Sequence, residues 1–262
     1  MSSILITGCS SGFGLETAKL FLDRGWDVVA TMRTPRAELL PASDRLRILP
    51  LDVTDQGSIA QALATAGPID VLVNNAGFGA AVPVELTAPE TTRALLETNM
   101  LGTLAMTQAV LPAFRARRAG VIINVTSAVT LRPLPLMGVY RASKAAVNAF
   151  TESLAIEMSP FGVRVHLVVP GRSPETRFSE NALPHVRGGD DPDYAPMIQQ
   201  MMARVGNSSG AVTHASDVAD AIWRAATGPS VPLYIPAGAD AEALMANAHA
   251  ERPSSGAQGS PS

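Results

Sequence analysis

Short apolar runs alternate with longer helical patterns along most of the 262-residue chain. Six of the runs are rich in Val, Ile and Leu and predict strands, at residues 3–7, 27–32, 46–51, 69–73, 121–125 and 163–169. Helical spacing predicts helices between them, including residues 17–22, 91–116 and 139–158. Because the runs are apolar on both faces, we expect a parallel sheet covered by helices on each side. The pattern predicts a doubly wound, Rossmann-like α/β fold of three layers, in a single domain over residues 1–250.

Two segments depart from this alternation. Residues 173–210 are rich in Pro, Gly, Asp and Asn, but they contain an apolar helical patch from Met197 to Met202. A loop with a helix inserted late in an α/β chain is typical of a lid over a substrate site, and also of a surface excursion that caps the core. Residues 251–262 are rich in Pro, Ser and Gly, which predicts a disordered tail.

Composition and net charge limit the classes of molecule that the protein is expected to bind. With 47% hydrophobic residues the chain can bury one large core, and a net charge of -3 provides no attraction for nucleic acid or an anionic membrane. Cys9 is the single cysteine and the histidines lack metal-ligand spacing, so neither a disulfide nor a metal site is expected. No apolar run reaches the roughly 18 residues of a membrane-spanning helix. Because residues 3–7 already predict a strand, we expect no secretion signal and a cytoplasmic protein.

A glycine-rich turn lies between the first strand and its helix. The glycines allow a tight turn, a close approach of backbone to ligand, and close packing of helix on strand. The helix N-terminus offers N–H groups and the positive end of its dipole to a pyrophosphate. The spacing G-x-x-x-G-x-G differs from the commoner fingerprint and alone is equally typical of a structural turn, but its place in the fold favours nucleotide binding. The candidate cofactor-binding residues are Gly8, Ser10, Ser11, Gly12, Phe13 and Gly14.

The end of the second strand bears on the choice of cofactor. An NAD-binding enzyme is expected to carry an Asp or Glu here for the ribose 2′-hydroxyl, but the sequence is Ala30-Thr31-Met32-Arg33. The guanidinium of Arg33 suits a 2′-phosphate, and Ser11 can add a hydroxyl donor. A solvated surface arginine is the alternative explanation. The pattern favours NADP(H) over NAD(H).

Tyr140 and Lys144 are four residues apart near the start of a predicted helix, so both side chains lie on one helix face. A free tyrosine has a pKa of about 10, too high for efficient proton exchange at neutral pH. Because an adjacent ammonium favours the phenolate, we expect Lys144 to lower the pKa of Tyr140. The phenol would then exchange a proton with a carbonyl or alcohol oxygen. The spacing alone occurs by chance in many proteins.

Three further features support a site at the same edge of the sheet. Ser127 follows the fifth predicted strand, and its hydroxyl can hydrogen-bond a substrate oxygen. The turn 74–77, Asn-Asn-Ala-Gly, ends the fourth strand beside the expected cofactor. Asn99 lies inside a predicted helix, where an amide has a poor intrinsic preference. Each has an ordinary structural explanation, but their joint occurrence in this order favours a catalytic site.

With these motifs in this order, residues from about 3 to 240 resemble the short-chain dehydrogenase/reductase family in its compact form. The resemblance implies hydride transfer between a nicotinamide cofactor and a carbonyl or alcohol. It implies a catalytic tetrad of Asn99, Ser127, Tyr140 and Lys144, in which Lys144 also holds the nicotinamide ribose and Asn99 anchors a water. It implies further cofactor contacts from Asp52 and Val53 at the adenine, from Asn75, Ala76 and Gly77 along the cofactor, and from Pro170, Gly171 and Thr176 at the carboxamide.

Two stretches beside the expected substrate site depart from the family pattern. Residues 128–132 are bulkier than usual, and residues 172–175 are more polar, so the substrate of a relative cannot be transferred. Apolar side chains before Tyr140 and in the possible lid favour an apolar substrate, although ordinary packing explains them equally well. They are Leu134, Leu136, Met137, Val139, Met197, Ile198, Met201 and Met202.

The expected function is NADPH-dependent reduction of an apolar ketone or aldehyde to an alcohol, in a reversible reaction. A catalytically idle NADPH-binding regulator is the alternative, and the intact Ser, Tyr and Lys argue against it. An epimerase or dehydratase of nucleotide sugars is less expected, because that form generally carries a larger C-terminal substrate domain. The resemblance also implies a homodimer or homotetramer, with the helices over residues 91–116 and 139–158 at the interface.

Overall fold

A computed structural model describes residues 2–176, 187, 191–206 and 210–250. It contains a seven-stranded sheet in the order β3-β2-β1-β4-β5-β6-β7, and every neighbouring pair of strands is parallel. The strands are β1 (Ser3–Ile6), β2 (Asp27–Met32), β3 (Leu46–Pro50), β4 (Val71–Asn74), β5 (Gly120–Val125), β6 (Val163–Pro170) and β7 (Tyr234–Ala237). Because the order reverses between β1 and β4, a crevice is expected there at the carboxyl ends of the strands.

Helices cover both faces of the sheet, as the alternation of elements predicts. They are α1 (Gly12–Asp23), α2 (Gln56–Ala66), α3 (Pro89–Leu96), α4 (Gly102–Arg117), α5 (Gly138–Met158), α6 (Ala195–Gly206), α7 (Ala215–Thr227) and α8 (Ala239–Ala250). Successive side chains of β1 show the two faces. Ile4 and Ile6 pack in the core beneath α1 and α7, whereas Leu5 packs in the core beneath α2, α4 and α5. The predicted doubly wound, three-layer fold is confirmed.

The structure also corrects the predicted elements. Strand β7 was not expected, because it has only four residues and includes Pro236. The fourth strand begins at Val71 and ends at Asn74, and so lies later than predicted. The continuous helix expected over residues 91–116 is divided, because a π-helical segment, Glu97–Leu101, lies between α3 and α4.

Part of the possible lid, and all of the expected tail, lie outside the described residues. The patch from Met197 to Met202 lies in α6, as predicted, whereas residues 177–186, 188–190, 207–209 and 251–262 are not described. Within the described part of the chain, every helix is too short or too polar to cross a lipid bilayer.

A buried hydrogen-bond network joins the central strands to the helices behind the site. Asn74 Nδ2 donates to Asn124 Oδ1 at 2.9 Å and to Thr107 Oγ1 at 3.1 Å, and Asn124 Nδ2 donates to Thr151 Oγ1 at 2.8 Å. All four residues are buried. The network therefore connects β4 and β5 to α4 and α5 through groups that cannot find water if a partner is removed.

Replacing Asn124 should show how much the fold depends on this network. Asn124→Val suits a strand but removes a partner from Asn74 and from Thr151. Because each buried polar group deprived of its partner costs about 1–3 kcal/mol, we expect a loss of about 2–4 kcal/mol in the free energy of unfolding, measured by urea denaturation. Ile123→Val, on the same strand, is the control and should cost about 1 kcal/mol. Equal losses for the two variants would contradict a stabilising role for the network.

Candidate active site

Two neighbouring cavities lie at the carboxyl edge of the sheet. The larger, of about 690 Å³, runs between the glycine-rich turn and the turn after β4. The smaller, of about 360 Å³, is lined by residues that follow β5 and β6 and by residues of α6. Phe13, Thr126, Tyr140 and Thr176 line both cavities. Tyr140 therefore lies at the boundary between the two.

The glycine-rich turn packs directly against the turn that follows β4. Gly8 has a φ of +76°, and a Cβ there would lie 2.9 Å from Ala76 Cα. A Cβ at Gly14 would lie 2.5 Å from Asn75 Nδ2. The hydroxyl of Thr7 accepts hydrogen bonds from the backbone N–H groups of Asn75 and Ala76, both at 2.9 Å. The two turns thus form one rigid floor for the larger cavity, and Gly14 lies behind that floor.

One end of the larger cavity carries opposite charges. Asp52 Oδ1 accepts hydrogen bonds from the backbone N–H of Thr54 at 2.9 Å and from its hydroxyl at 2.7 Å. These two bonds, and to a smaller extent the charge of Arg33, lower the pKa of Asp52. Arg33 is exposed and also lines the cavity. This end therefore carries an ionised carboxylate beside a guanidinium.

Arg36 makes a contact with the glycine-rich turn that the sequence did not predict. Its Nη2 donates to the carbonyl oxygen of Ser10 at 2.8 Å, which fixes the segment after β2 against the glycine-rich turn. A basic residue in a loop has no distinguishing spacing, so the sequence alone carried no signal for this contact.

Asn99 lies in the π-helical segment, completely buried. Its Oδ1 accepts from the backbone N–H of Phe78 at 3.0 Å, and its Nδ2 donates to the carbonyl of Phe78 at 2.9 Å and to Ser143 Oγ at 3.0 Å. A Cβ at Gly77 would lie 2.9 Å from Asn99 Oδ1 and 3.3 Å from Lys144 Nζ, so a side chain there would crowd both. Asn99 thus holds the turn after β4 against α5. π-Helical insertions of this kind are frequent at functional sites.

Ser143 is a second residue that the sequence analysis missed. Its hydroxyl donates to the carbonyl oxygen of Tyr140 at 2.7 Å while accepting from Asn99. The signal available in the sequence was its position three residues after Tyr140, on the same helix face.

Burial dominates the electrostatics of Tyr140. The side chain is 5% exposed, and burial raises the pKa of Tyr140 to about 12, although a hydrogen bond with the Ser127 side chain acts in the opposite direction. The expectation that Lys144 lowers this pKa is therefore wrong for the polypeptide alone. The phenol is protonated at neutral pH.

Lys144 is buried beside the same boundary. Its Nζ donates to the carbonyl oxygen of Val125, the last residue of β5, at 3.0 Å. Burial lowers the pKa of Lys144 to about 8, because the ammonium has exchanged water for a largely apolar surrounding. The amine is thus close to the point at which its charge changes near neutral pH.

Ser127, two residues after the end of β5, lines the smaller cavity. Its Oγ accepts from the backbone N–H of Val129 at 3.2 Å, which starts a short 3₁₀ turn, Ala128–Thr130. Arg141 donates to the carbonyl oxygens of Val129 at 3.0 Å and Thr130 at 3.3 Å. The residue next to Tyr140 on α5 thus fixes the turn that carries Ser127.

The structure brings most of the predicted cofactor residues together. Those that line the larger cavity are Gly8, Ser10, Ser11, Gly12, Phe13, Arg33, Asp52, Val53, Asn75, Ala76, Gly77, Tyr140, Lys144 and Thr176. Pro170 and Gly171 line the smaller cavity instead. Of the predicted catalytic residues, Ser127 faces the smaller cavity, Tyr140 faces both, Lys144 faces the larger, and Asn99 supports them from behind.

Comparison with known proteins agrees with this geometry. The family model described as short chain dehydrogenase matches residues 2–185. The chain is 40% identical to 3-ketodihydrosphingosine reductase of Bacteroides thetaiotaomicron over 196 residues, which is 73% of this chain and 71% of the relative. It is 36% identical to human retinol dehydrogenase 8 over 236 residues, 81% of this chain and 76% of the relative.

A solved structure shares the fold as well as the sequence pattern. A short chain dehydrogenase from Burkholderia cenocepacia in complex with NADP superposes with a TM-score of 0.76 and 30% identity, covering 96% of this chain and 94% of that one. On the matched motifs, the parallel sheet and these likenesses together, the chain belongs to the short-chain dehydrogenase/reductase family of NAD(P)-dependent oxidoreductases, which act on CH–OH and C=O groups.

Proposed function

We propose that this chain reduces an apolar ketone or aldehyde with NADPH, in a reaction that is reversible as alcohol oxidation. The observation that carries the proposal is the position of Tyr140 at the boundary of the two cavities, with Ser127 on one side and Lys144 on the other. In this assignment the larger cavity holds the cofactor and the smaller one holds the substrate. The proton donor then lies where the two would meet.

The larger cavity suits a nicotinamide dinucleotide. Where Gly12 begins α1, the side chain of Ser11 does not cap the helix, which favours phosphate binding by the N–H groups of the first turn. The buried hydroxyl of Thr126 lines both cavities and has no partner among the described residues, as expected for a group that awaits a ligand. The bound cofactor supplies the hydride, or accepts it in the reverse direction.

The proton chemistry follows from the burial of Tyr140. With a pKa of about 12 the phenol is in its acid form at neutral pH, so it can donate its proton to the oxygen of a carbonyl during reduction. Ser127 supplies a second hydrogen bond to that oxygen as negative charge develops there. In this proposal a protonated Lys144, which lines the same cavity, stabilises the phenolate once the proton has left and also holds a ribose hydroxyl. Asn99 supports the backbone of Tyr140 through Ser143, whose hydroxyl donates to the Tyr140 carbonyl oxygen.

An apolar substrate is supported by the lining of the smaller cavity. The apolar side chains that line it include Leu134, Leu136, Met137, Ile198, Met201, Met202 and Leu244. The relatives described above are named for a keto compound and for retinol.

We also propose that α6 acts as the lid, because Ile198, Met201 and Met202, which line the smaller cavity, lie on it. The hydroxyl of Tyr194, just before α6, donates to Glu85 Oε2 at 2.7 Å and links the helix to the loop after β4.

A preference for NADP(H) is supported by the charge at the far end of the larger cavity. Arg33 replaces the acid that would bind a ribose 2′-hydroxyl, and Ser10 and Ser11 line the same cavity. The Burkholderia neighbour is a complex with NADP.

We further propose a homodimer or homotetramer, since Leu96, Leu101 and Ile156 are exposed on or beside the helices expected at the interface.

Removing the hydroxyl of Tyr140 tests the reaction. Tyr140→Phe should lower kcat/KM for NADPH-dependent ketone reduction by about a thousandfold, because it removes the proton donor, while cofactor binding changes little. The readouts are the cofactor absorbance with a broad panel of ketones and the fluorescence of bound NADPH. Tyr234→Phe removes a hydroxyl on β7 that bonds Glu152, and serves as the matched control. Retained activity in Tyr140→Phe would overturn the assignment.

Reversing the charge at Arg33 tests the choice of cofactor. Arg33→Asp should weaken NADPH binding about a hundredfold by removing a cation and placing an anion beside the 2′-phosphate, and should weaken NADH far less. Dissociation constants for both cofactors come from fluorescence titration. Arg224→Asp makes the same charge change at an exposed site on α7 that lines neither cavity, and should alter neither constant. Equal losses for the two cofactors in Arg33→Asp would remove the case for NADP(H).

The low pKa of Lys144 predicts a specific dependence of stability on pH. Below pH 8 the amine is charged in both the folded and the unfolded chain, and the folded state bears the full cost of the buried charge. Between about 8 and the ordinary value of 10.5 the unfolded chain holds the proton more tightly, so stability rises with pH. Relative to Lys144→Met, the wild type should gain about 2 kcal/mol in unfolding free energy from pH 7 to pH 10.

Urea denaturation of both proteins at several pH values measures this gain. The subtraction removes the contributions of Cys9 and Tyr140, which both proteins retain and whose raised pKa values act in the opposite direction. Identical pH profiles for the two proteins would show that Lys144 is not desolvated as described.

A further inference from the structure

The two stretches that depart from the family pattern meet at the smaller cavity. Arg132 comes from the segment after β5, and Arg172 from the segment after β6. Both residues line the smaller cavity, together with its apolar side chains. Among the described residues that line it, these are the two cations, and they lie at the edge of a cavity whose walls are mainly apolar.

Arg132 is available to a ligand. The residue is exposed, and within the described ranges no carboxylate lies at ion-pair distance from it. The turn that leads to it is fixed, because Arg141 holds the carbonyl oxygens of Val129 and Thr130. The contacts of Arg141 therefore hold the backbone that leads to Arg132 beside the cavity.

Two described acidic residues in or beside this lining, Asp240 and Glu175, already have partners. Asp240, which also lines the cavity, accepts from the backbone N–H of Arg172 at 2.6 Å through Oδ2 and from Thr213 Oγ1 at 2.7 Å through Oδ1. Glu175, the acid of the polar stretch, instead contacts the start of α7. There it accepts from the backbone N–H of Ala215 at 2.8 Å and pairs with His214 at 3.3 Å.

Among the described residues that line the cavity, this edge carries more positive than negative charge. Arg132 and Arg172 line it together with one carboxylate, Asp240, whose two oxygens are both hydrogen-bonded within the protein. Arg172 already has a partner within the chain, so Arg132 is the cation that a ligand would meet. A guanidinium binds a carboxylate or phosphate through two parallel hydrogen bonds, and the pairing is stronger where apolar walls partly exclude water. An anionic group at the end of an apolar substrate would meet these conditions.

We infer that the substrate is an amphipathic carbonyl compound, with its carbonyl at Tyr140, an apolar body in the smaller cavity, and an anionic group bound by Arg132. The inference rests on the proposed reductase function and adds the chemical class of the substrate. The anionic group is a carboxylate or a phosphate monoester, since a guanidinium recognises both.

The test compares three substrates of equal chain length, each an aliphatic medium-chain ketone. One ends in a carboxylate, one in a phosphate monoester, and one in a neutral primary amide. With NADPH, the wild type should prefer at least one anionic ketone over the amide in kcat/KM. In Arg132→Met that preference should fall about tenfold, mainly through KM, because the lost pair contributes to ground-state and transition-state binding alike. Arg132→Lys should retain part of the preference, because it keeps the charge but not the two parallel hydrogen bonds.

Arg224→Met is the matched control, since Arg224 is an exposed arginine on α7 that lines neither cavity. This control variant should keep the wild-type preference for anionic ketones. The thermal midpoint of Arg132→Met should equal that of the wild type, which would show that the variant is folded. No preference for either anion in the wild type, or equal losses for anionic and amide ketones in Arg132→Met, would overturn the inference while leaving the reductase intact. If the wild type reduces neither these ketones nor any of the broad panel, the proposed function itself fails and the inference fails with it.

Discussion

The candidate site depends on burying a phenol and an ammonium one helical turn apart at the same cavity, and burial disfavours the charged form of both. It lowers the pKa of Lys144 to about 8 and raises that of Tyr140 to about 12. The folded chain tolerates this because each group has a partner. The ammonium donates to the carbonyl oxygen of Val125, and the phenol is hydrogen-bonded with Ser127. The same desolvation makes both groups responsive to a charged ligand, because electrostatic interactions are stronger where water is excluded.

Keeping such a pair buried requires the surrounding elements to stay in register. Two sets of buried amides provide this. Asn74 and Asn124 link the central strands to α4 and α5, and Asn99 links the turn after β4 to α5 through Phe78 and Ser143. A displaced amide in either set would leave a buried polar group without a partner, so small displacements carry a high cost. Polar groups thus determine where the reactive side chains lie within a mainly apolar core.

Much of this architecture could be predicted from the sequence, and the failures have physical causes. The Val- and Ile-rich runs identified six strands, because a strand covered on both faces must be apolar throughout. Glycine spacing and the Tyr140–Lys144 pair predicted a site at the carboxyl edge of the sheet, and these residues line one cavity there. Strand β7 was missed because four residues with a proline carry too little pattern.

Contacts between distant segments were beyond the sequence. The bond from Arg36 to Ser10, and that from Asn99 to Ser143, depend on how loops and helices meet in space. The predicted direction of the shift in the pKa of Tyr140 was wrong for a related reason. The spacing of two residues shows that a charged residue lies on the same helix face, but the desolvation that raises the pKa of Tyr140 depends on the whole fold.

The contrast between buried and exposed groups also explains why the reaction class was easier to predict than the substrate. In the proposed reaction, Tyr140 and Lys144 act from inside the core, where their neighbours fix the geometry and few substitutions can be accommodated. Arg33 and Arg132 lie on exposed segments after strands, where a substitution costs little stability but changes the charge that a ligand meets. Cofactor choice and substrate choice can therefore vary while the proton chemistry stays the same. The sequence motif that identifies Tyr140 and Lys144 carries little information about Arg33 and Arg132. The substrate therefore has to be inferred from the charges that line the smaller cavity.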